Sequence, residues 1–245
     1  MRYLILSDIH GNWEALEAVL AAADGRYDHT VCLGDVVGYG ADPNVVTSWV
    51  QQHVRDVIRG NHDKACCGLE DTITFNPVAR YAAEWTKTAL TPKNRDYLSQ
   101  LPQGPREVDG FLMVHGSVLD EDEYLIDPYD ALFQFPHVEG RLVFFGHTHV
   151  QGGFLLWDTG EPPMQAKAKP KGDVLRIVKG TTQLINPGSV GQPRDFVWQA
   201  GYAIYDSGQQ LVEFHRCAYD LATAQKKIRD AGLPPALADR LALGR

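Results

Sequence analysis

Three short apolar segments alternate with two amphipathic ones over the first sixty residues, and that alternation leaves few folds open. "YLIL" at 3–6 is apolar on both faces and reads as a buried strand of parallel type. "NWEALEAVLAAA" at 12–23 places Trp13, Leu16, Val19 and Leu20 at helical spacing. "TVCL" at 30–33 is a second strand. "PNVVTSWVQQHV" at 43–54 is a second helix, with Asp42 as its N-cap and Pro43 at its first position. "VRDVIRG" at 54–60 is a third strand. The order β-α-β-α-β implies a parallel sheet with right-handed crossovers.

The rhythm then breaks. "NPVARYAAEWTKTAL" (76–90) and "PKNRDYLSQLP" (92–102) read as helices of an insert spanning about 64–105. Strands return at "GFLMVH" (110–115) and "GRLVFFG" (140–146). Beyond 150 the reading is mostly β, through "GGFLLWD", "DVLRIVK", "TQLIN", "AGYAIYD" and "QLVEFHR". "EPPMQAKAKPKGD" at 161–173 has the make-up of an exposed loop, and its three lysines sit where a solvated loop or a phosphate contact would put them. The tail at 220–245 reads as a helix, a Gly-Leu-Pro-Pro break and a second short helix, all within one domain of residues 1–245.

The strand ends share one chemistry. Asp8 and His10 follow the first strand, Asp35 the second, and Asn61, His62 and Asp63 the third. His115 follows "FLMV", and His147 and His149 follow "RLVFFG". Ligands gather at the carboxyl ends of strands in open parallel sheets, so these side chains are expected on one rim. The set is oxygen and nitrogen without thiolate, which suits Mn, Fe, Zn, Co or Ni better than Ca. It is too large for one tetrahedral ion and fits two ions sharing a carboxylate. Glycines beside each block fit tight turns and close backbone approach.

Composition narrows the partners. The net charge of −8 over 245 residues opposes a nucleic-acid coat, so no stable nucleic-acid complex is expected. A small phosphate substrate stays open where cations sit in the site. The N-terminal apolar run is too short for a signal-peptide core, and no stretch is long enough to span a membrane. The four cysteines form no C-x-x-C pair and read as reduced thiols of a cytoplasmic protein. The oligomeric state is left open.

In order, "DIH" (8–10), "GDVVGYG" (34–40), "GNHD" (60–63), "VHG" (114–116) and "GHTH" (146–149) resemble the signature of the calcineurin-like metallophosphoesterases. "INPGSVGQPRD" (185–195) resembles a segment of their bacterial phosphodiesterase branch. The resemblance implies a four-layer α-β-β-α sandwich. It implies one metal on Asp8, His10 and His149, a second on Asn61, His115 and His147, and Asp35 bridging both. Two divalent transition ions are implied, Mn foremost. His62 would stand beside the leaving-group oxygen and protonate it while a hydroxide held by the metals attacks phosphorus. The implied activity is a phosphodiesterase on nucleotide-type diesters or dinucleoside polyphosphates.

Rival readings remain at several positions. A protein Ser/Thr phosphatase or a non-catalytic metal-binding scaffold would share the fold; loss of His62 or of several ligands would mark the scaffold. Asn12 and Tyr39 adjoin ligand blocks and are candidates for substrate contact. Arg194 either clamps a phosphate or pairs with Asp195. Asp63 either orients His62 or caps a helix. Phe75, Tyr81 and Trp85 either stack on a nucleobase or pack. His29, His53, His137 and His215 lie outside every block.

Overall fold

A computed structural model of the chain describes residues 1–156, 164–167 and 173–245, and the side chains of all these except 164–167. Strand β1 (Arg2–Leu6) leads into α1 (Trp13–Ala23), which the Asn12 side chain caps by accepting from the Ala15 N–H at 3.1 Å. Strand β2 (His29–Cys32), helix α2 (Pro43–His53) and strand β3 (Asp56–Val57) complete the alternating unit. β1, β2 and β3 pair in parallel. The third strand is shorter than the sequence suggests, because the chain turns at once into α3 (Asn61–Cys67). Asp42 is the N-cap of α2 by position only; its carboxylate takes Lys227 at 2.8 Å instead of the helix N–H groups.

The insert holds α3, α4 (Pro77–Ala89) and α5 (Pro92–Ser99). Asn76 caps α4 and Thr91 caps α5, each with proline at the first helical position. Then come β4 (Arg106–Val108), β5 (Phe111–Met113), α6 (Pro128–Gln134) and β6 (Leu142–Phe144). The second half holds β7 (Gly152–Leu156), β8 (Met164–Lys167), β9 (Val174–Arg176), β10 (Thr182–Asn186), β11 (Ala200–Asp206) and β12 (Leu211–Cys217). Helices α7 (Leu221–Asp230) and α8 (Pro235–Leu243) end the described chain, as the tail predicts.

Two six-stranded sheets result, in the orders β3-β2-β1-β11-β12-β9 and β4-β5-β6-β10-β7-β8. The three strands of the first sixty residues run parallel, as expected, and strands from later in the chain complete their sheet. β1 has β2 parallel on one side and β11 antiparallel on the other, pairing Arg2 with Asp206. Late strands enter both sheets, which local alternation does not reveal. Met164–Lys167 corrects the loop expected at 161–173, since it pairs antiparallel with β7. Trp157 and Asp158 of "GGFLLWD" and the lysine side chains of the 161–173 stretch lie outside the described residues.

Alternation within β1 sorts the layers. Tyr3 and Ile5 face the second sheet, joining Phe111, Phe144 and Tyr205. Those rings meet edge-on or tilted at centroid distances of 5.2–5.7 Å, with Tyr3 on Tyr205 stacked at 6.2 Å. Each such pair is worth about 0.5–1.5 kcal/mol beyond burial. Leu4 and Leu6 face the other way, into the helices that cover the first sheet. A thinner cover of α6 and its neighbours, through Leu125, Ala131 and Phe135, packs on the second sheet. The four-layer sandwich is therefore present, with unequal outer layers. It brings the carboxyl ends of β1, β2 and β3 opposite those of β5 and β6.

Candidate metal centre

At that junction the strands do not simply stop. Asp8, His10, Asp35, Tyr39, His147 and His149 all take left-handed backbone with φ between 51 and 64°. Non-glycine residues adopt this region at a cost, and such outliers cluster at functional sites. The crossing is tight as well. Gly34, at φ 98°, has no room for a Cβ, which would lie 2.6 Å from the Gly60 nitrogen. A Cβ on Gly60 would lie 2.1 Å from Asp35 Oδ1.

Two buried donor groups form there. Asp8, His10, Asp35 and His149 bring one donor atom each within 4.8 Å of one another, and so do Asp35, His115 and His147. Asp35 belongs to both. Its Oδ2 lies 3.5 Å from His10 Nε2 and 3.5 Å from His115 Nε2. Asn61 Oδ1 is 3.3 Å from His115 Nε2, so all seven sequence candidates converge. His62 joins them, donating its backbone N–H to Asp35 Oδ1 at 2.9 Å.

Four histidines are oriented by carbonyls behind them. His10, His115 and His149 turn Nδ1 to the carbonyls of Val37, Leu33 and Gln192 at 3.0, 2.8 and 2.6 Å. Each thereby presents Nε2 to the site. His147 is the reverse: Nε2 meets the Asp122 carbonyl at 3.0 Å, leaving Nδ1. The segment carrying that carbonyl is tied down by Lys64, which bonds Glu121 at 3.1 Å and the Asp122 carboxylate at 2.6–2.8 Å.

The donor set fits cations. His10 Nε2 and His149 Nε2 face each other at 3.1 Å, and Asp8 Oδ2 is buried with no hydrogen-bond partner. Buried polar atoms are costly when unpaired, and a cation satisfies such acceptors together. Protonation agrees. Burial pushes Asp35 up, but the imidazoles around it, His115 first, outweigh that and hold it well below the usual carboxylate range. Burial likewise acts on His115, yet the Asp35 charge prevails and raises it to about 10. Burial keeps His10 and His149 well below the usual imidazole value and His147 at about 3, so these three offer neutral nitrogens. Burial, with Asp35 nearby, raises Asp8 to about 6. Positive charge at the site would reverse that.

The remaining candidates separate. His62 sits against Tyr39, Phe75 and His10 with ring centroids 4.4, 4.9 and 5.0 Å away, its Nδ1 buried without a partner. Burial lowers it to about 4. Asp63 accepts from the Gly60 and Val37 N–H groups at 3.0 and 3.1 Å, so it caps α3 and braces the Asp35 turn. Asn12 uses both ends of its amide, accepting from Ala15 and donating to the Gly191 carbonyl at 2.9 Å. Arg194 does not pair with Asp195, whose partner is Arg216. Arg194 instead donates to the Tyr39 hydroxyl at 3.3 Å and to Gln192 Oε1 at 3.1 Å. Phe75 packs on His62, Trp85 packs into the helical layer, and the Tyr81 hydroxyl reaches the Gly232 carbonyl at 3.3 Å.

Sequence reasoning missed several participants. Ser189 donates to the Asp8 carbonyl at 2.8 Å and Asn186 to the Gly146 carbonyl at 2.9 Å. Both stand in "INPGSVGQPRD", whose polar residues carry the signal. Tyr124 stacks on His147 at 3.8 Å and has no motif around it to announce it.

Comparisons with known proteins agree with this architecture. An uncharacterized protein of Methanocaldococcus jannaschii is 36% identical, over 98% of this chain and 97% of its own length. The crystal structure of a metallophosphoesterase from Sphaerobacter thermophilus is 41% identical with a TM-score of 0.87, covering 100% of this chain and 99% of that one. A hypothetical protein of Pyrococcus horikoshii, 19% identical, shares the fold with a TM-score of 0.80 over 100% of this chain and 98% of its own. A family model of the calcineurin-like phosphoesterase superfamily domain matches residues 1–210, and the chain belongs to that superfamily of metal-dependent phosphoester hydrolases.

Proposed function

We propose that the protein is a two-metal phosphodiesterase acting on nucleotide-type diesters or dinucleoside polyphosphates. The supporting observation is the pair of buried donor groups that share Asp35. In this reading Asp8, His10 and His149 would hold one divalent transition ion, with Mn the first choice. Asn61, His115 and His147 would hold the second, and Asp35 would serve both. Such ions supply Lewis-acid charge at the phosphoryl group and make water a nucleophile near neutral pH.

The chain's own residues do the rest. The carbonyls behind the histidines fix which ring nitrogen faces the site. His62 gives a proton to the leaving oxygen. At rest burial keeps it neutral, and an anionic phosphoryl group arriving beside the ring raises its proton affinity. Arg194 holds a phosphate oxygen, and Tyr39 positions both Arg194 and His62. Asn12 acts from below by fixing the start of α1 against the Gly191 turn.

The acidic balance of the chain favours small substrates over long polyanions. Four free thiols suit a cytoplasmic location, and residues 1–245 are taken to work as one domain. No helix of the described residues is long and apolar enough to cross a membrane. The test is a panel of phosphate mono- and diesters assayed with metal-stripped protein, after adding Mn²⁺ or Ca²⁺. Diester hydrolysis restored by Mn²⁺ and not by Ca²⁺ is expected, because imidazole and amide donors are mismatched to Ca²⁺. Equal restoration by Ca²⁺, or hydrolysis of monoesters alone, would overturn the reading.

A further inference from the structure

We infer that Lys64 is a positioning residue for the second metal position, acting on His147 through a strap formed by residues 121–124. This rests on the two-metal reading above and adds to it the support on which one of the two ions depends.

His147 is held differently from its neighbours. The carbonyls behind His10 and His115 come from Val37 and Leu33, on either side of Asp35. His147 instead turns Nε2 to the Asp122 carbonyl at 3.0 Å and lies against the Tyr124 ring at 3.8 Å. Both contacts come from the strap, which carries none of the seven candidate ligands and belongs to no strand or helix. Its place is therefore set by packing and side-chain bonds. A Cβ on Gly116 would lie 2.6 Å from the Glu121 and Glu123 carbonyls, so the strap folds tightly back on that turn. Lys64 then fastens it. The ammonium reaches the Asp122 carboxylate at 2.6 and 2.8 Å, Glu121 at 3.1 Å and Glu70 at 2.9 Å. Arg59 adds two bonds to Glu121, at 2.8 and 3.0 Å.

Lys64 is only 7% exposed, unlike the solvated lysines whose ion pairs fix little. A buried ammonium demands its partners, and breaking such a cluster from one side leaves the others unpaired. Its place in the chain matters as much. Asn61 opens α3 and Lys64 follows one turn later, so one short helix carries a ligand of the second position and the anchor that orients another. The same path touches none of Asp8, His10 and His149. Charge and position also predict opposite signs. Glu70, Glu121 and Asp122 face Lys64 and Arg59, which leaves the cluster one negative charge in excess. Neutralising Lys64 makes it more negative, and by Coulomb attraction alone a nearby dication would bind more tightly. If Lys64 acts by holding the strap, the dication binds more weakly.

The experiment titrates metal-stripped protein with Mn²⁺ by calorimetry, in two backgrounds that each keep one position whole. His149→Ala leaves Asn61, His115 and His147; His147→Ala leaves Asp8, His10 and His149. Lys64→Met and the milder Lys64→Gln are placed in each, with circular dichroism as the check on folding, and Lys64→Gln decides if Lys64→Met does not fold. In the His149→Ala background Kd for Mn²⁺ is expected to rise about tenfold, the low end of what losing the support behind a metal ligand costs. In the His147→Ala background it is expected to stay unchanged, because the ring that the strap orients is gone. Unchanged or tighter binding in the first background, or equal weakening in both, would overturn the inference. Wild-type protein that takes up one ion only would reject the two-metal reading and this inference with it. The titration uses no substrate, so a protein that binds two ions and cleaves no diester loses the substrate assignment alone.

Discussion

His62 lies among the rings of His10, Tyr39 and Phe75 and touches Asp35 only through its backbone N–H. Removing its side chain should therefore leave metal content intact. His62→Ala is expected to lose up to about 10⁴-fold in kcat/KM where the leaving group is an alkoxide, and far less where it is a nitrophenolate. An equal loss on both, with metals retained, would make His62 a positioning residue. A second expectation concerns acid. The folded value of about 4 lies below the ordinary 6.5, so the unfolded chain binds the proton first as pH falls. The stability that neutral His62 contributes is complete above pH 6.5 and is lost between 6.5 and 4. In metal-stripped protein, His62→Gln should reduce the destabilisation between pH 7 and 4.5 by about 2–3 kcal/mol relative to wild type. Denaturant melts at both pH values measure it, and parallel curves would refute it. Asp63 shows what the sequence leaves open at this scale. Its type and position suit both orienting and capping, and only the Val37 and Gly60 N–H groups decide for capping.

Among the elements, the strand ends carry most of the legible information. Apolar runs that end in a donor residue locate β1, β2, β5 and β6 and six of the seven candidate ligands, and the third run locates Asn61. What stays hidden is set at long range: α6, β4 and β8 have weak local patterns, and β3 shrinks to Asp56–Val57 because Asn61 starts a helix. Tyr124 is placed by tertiary proximity, which no spacing rule encodes. The crossing of the second and third strand ends is the sharpest element-scale test. Gly60 has ordinary backbone, so Gly60→Ala should fold, at a cost of about 1–3 kcal/mol from overpacking. Its methyl group needs the space of Asp35 Oδ1. Metal content in Gly60→Ala is expected to fall at both positions, measured by plasma emission on the purified variant; full occupancy of both would show that the carboxylate need not stand where it does.

For the whole molecule, the candidate metal centre lies at the seam between two sheets. Asp8 and His10 follow β1, Asp35 follows β2 and Asn61 begins α3 on one side; His115 follows β5 and His147 and His149 follow β6 on the other. Asp35→Asn should release both ions, whereas His149→Ala should keep the ion on Asn61, His115 and His147. Equal metal loss in the two variants would reject Asp35 as the shared donor. The seam should also stiffen the molecule, since ions bound to the native state and not to the unfolded chain raise its stability.

The pairing of β1 with β11 sets a condition on the order of synthesis. When Arg2–Leu6 leaves the ribosome, one of its edges finds β2 within thirty residues, but the other waits until Ala200–Asp206 has been made. The second sheet waits too, because β6 meets β10 only after Thr182–Asn186. Through most of translation the growing chain therefore carries open, apolar strand edges of the kind that template association. We expect ribosome-bound chains ending near residue 190 to be cleaved freely by protease and chains extended past Cys217 to resist it. Protection already at the shorter length would mean that the first sheet closes without its late strand.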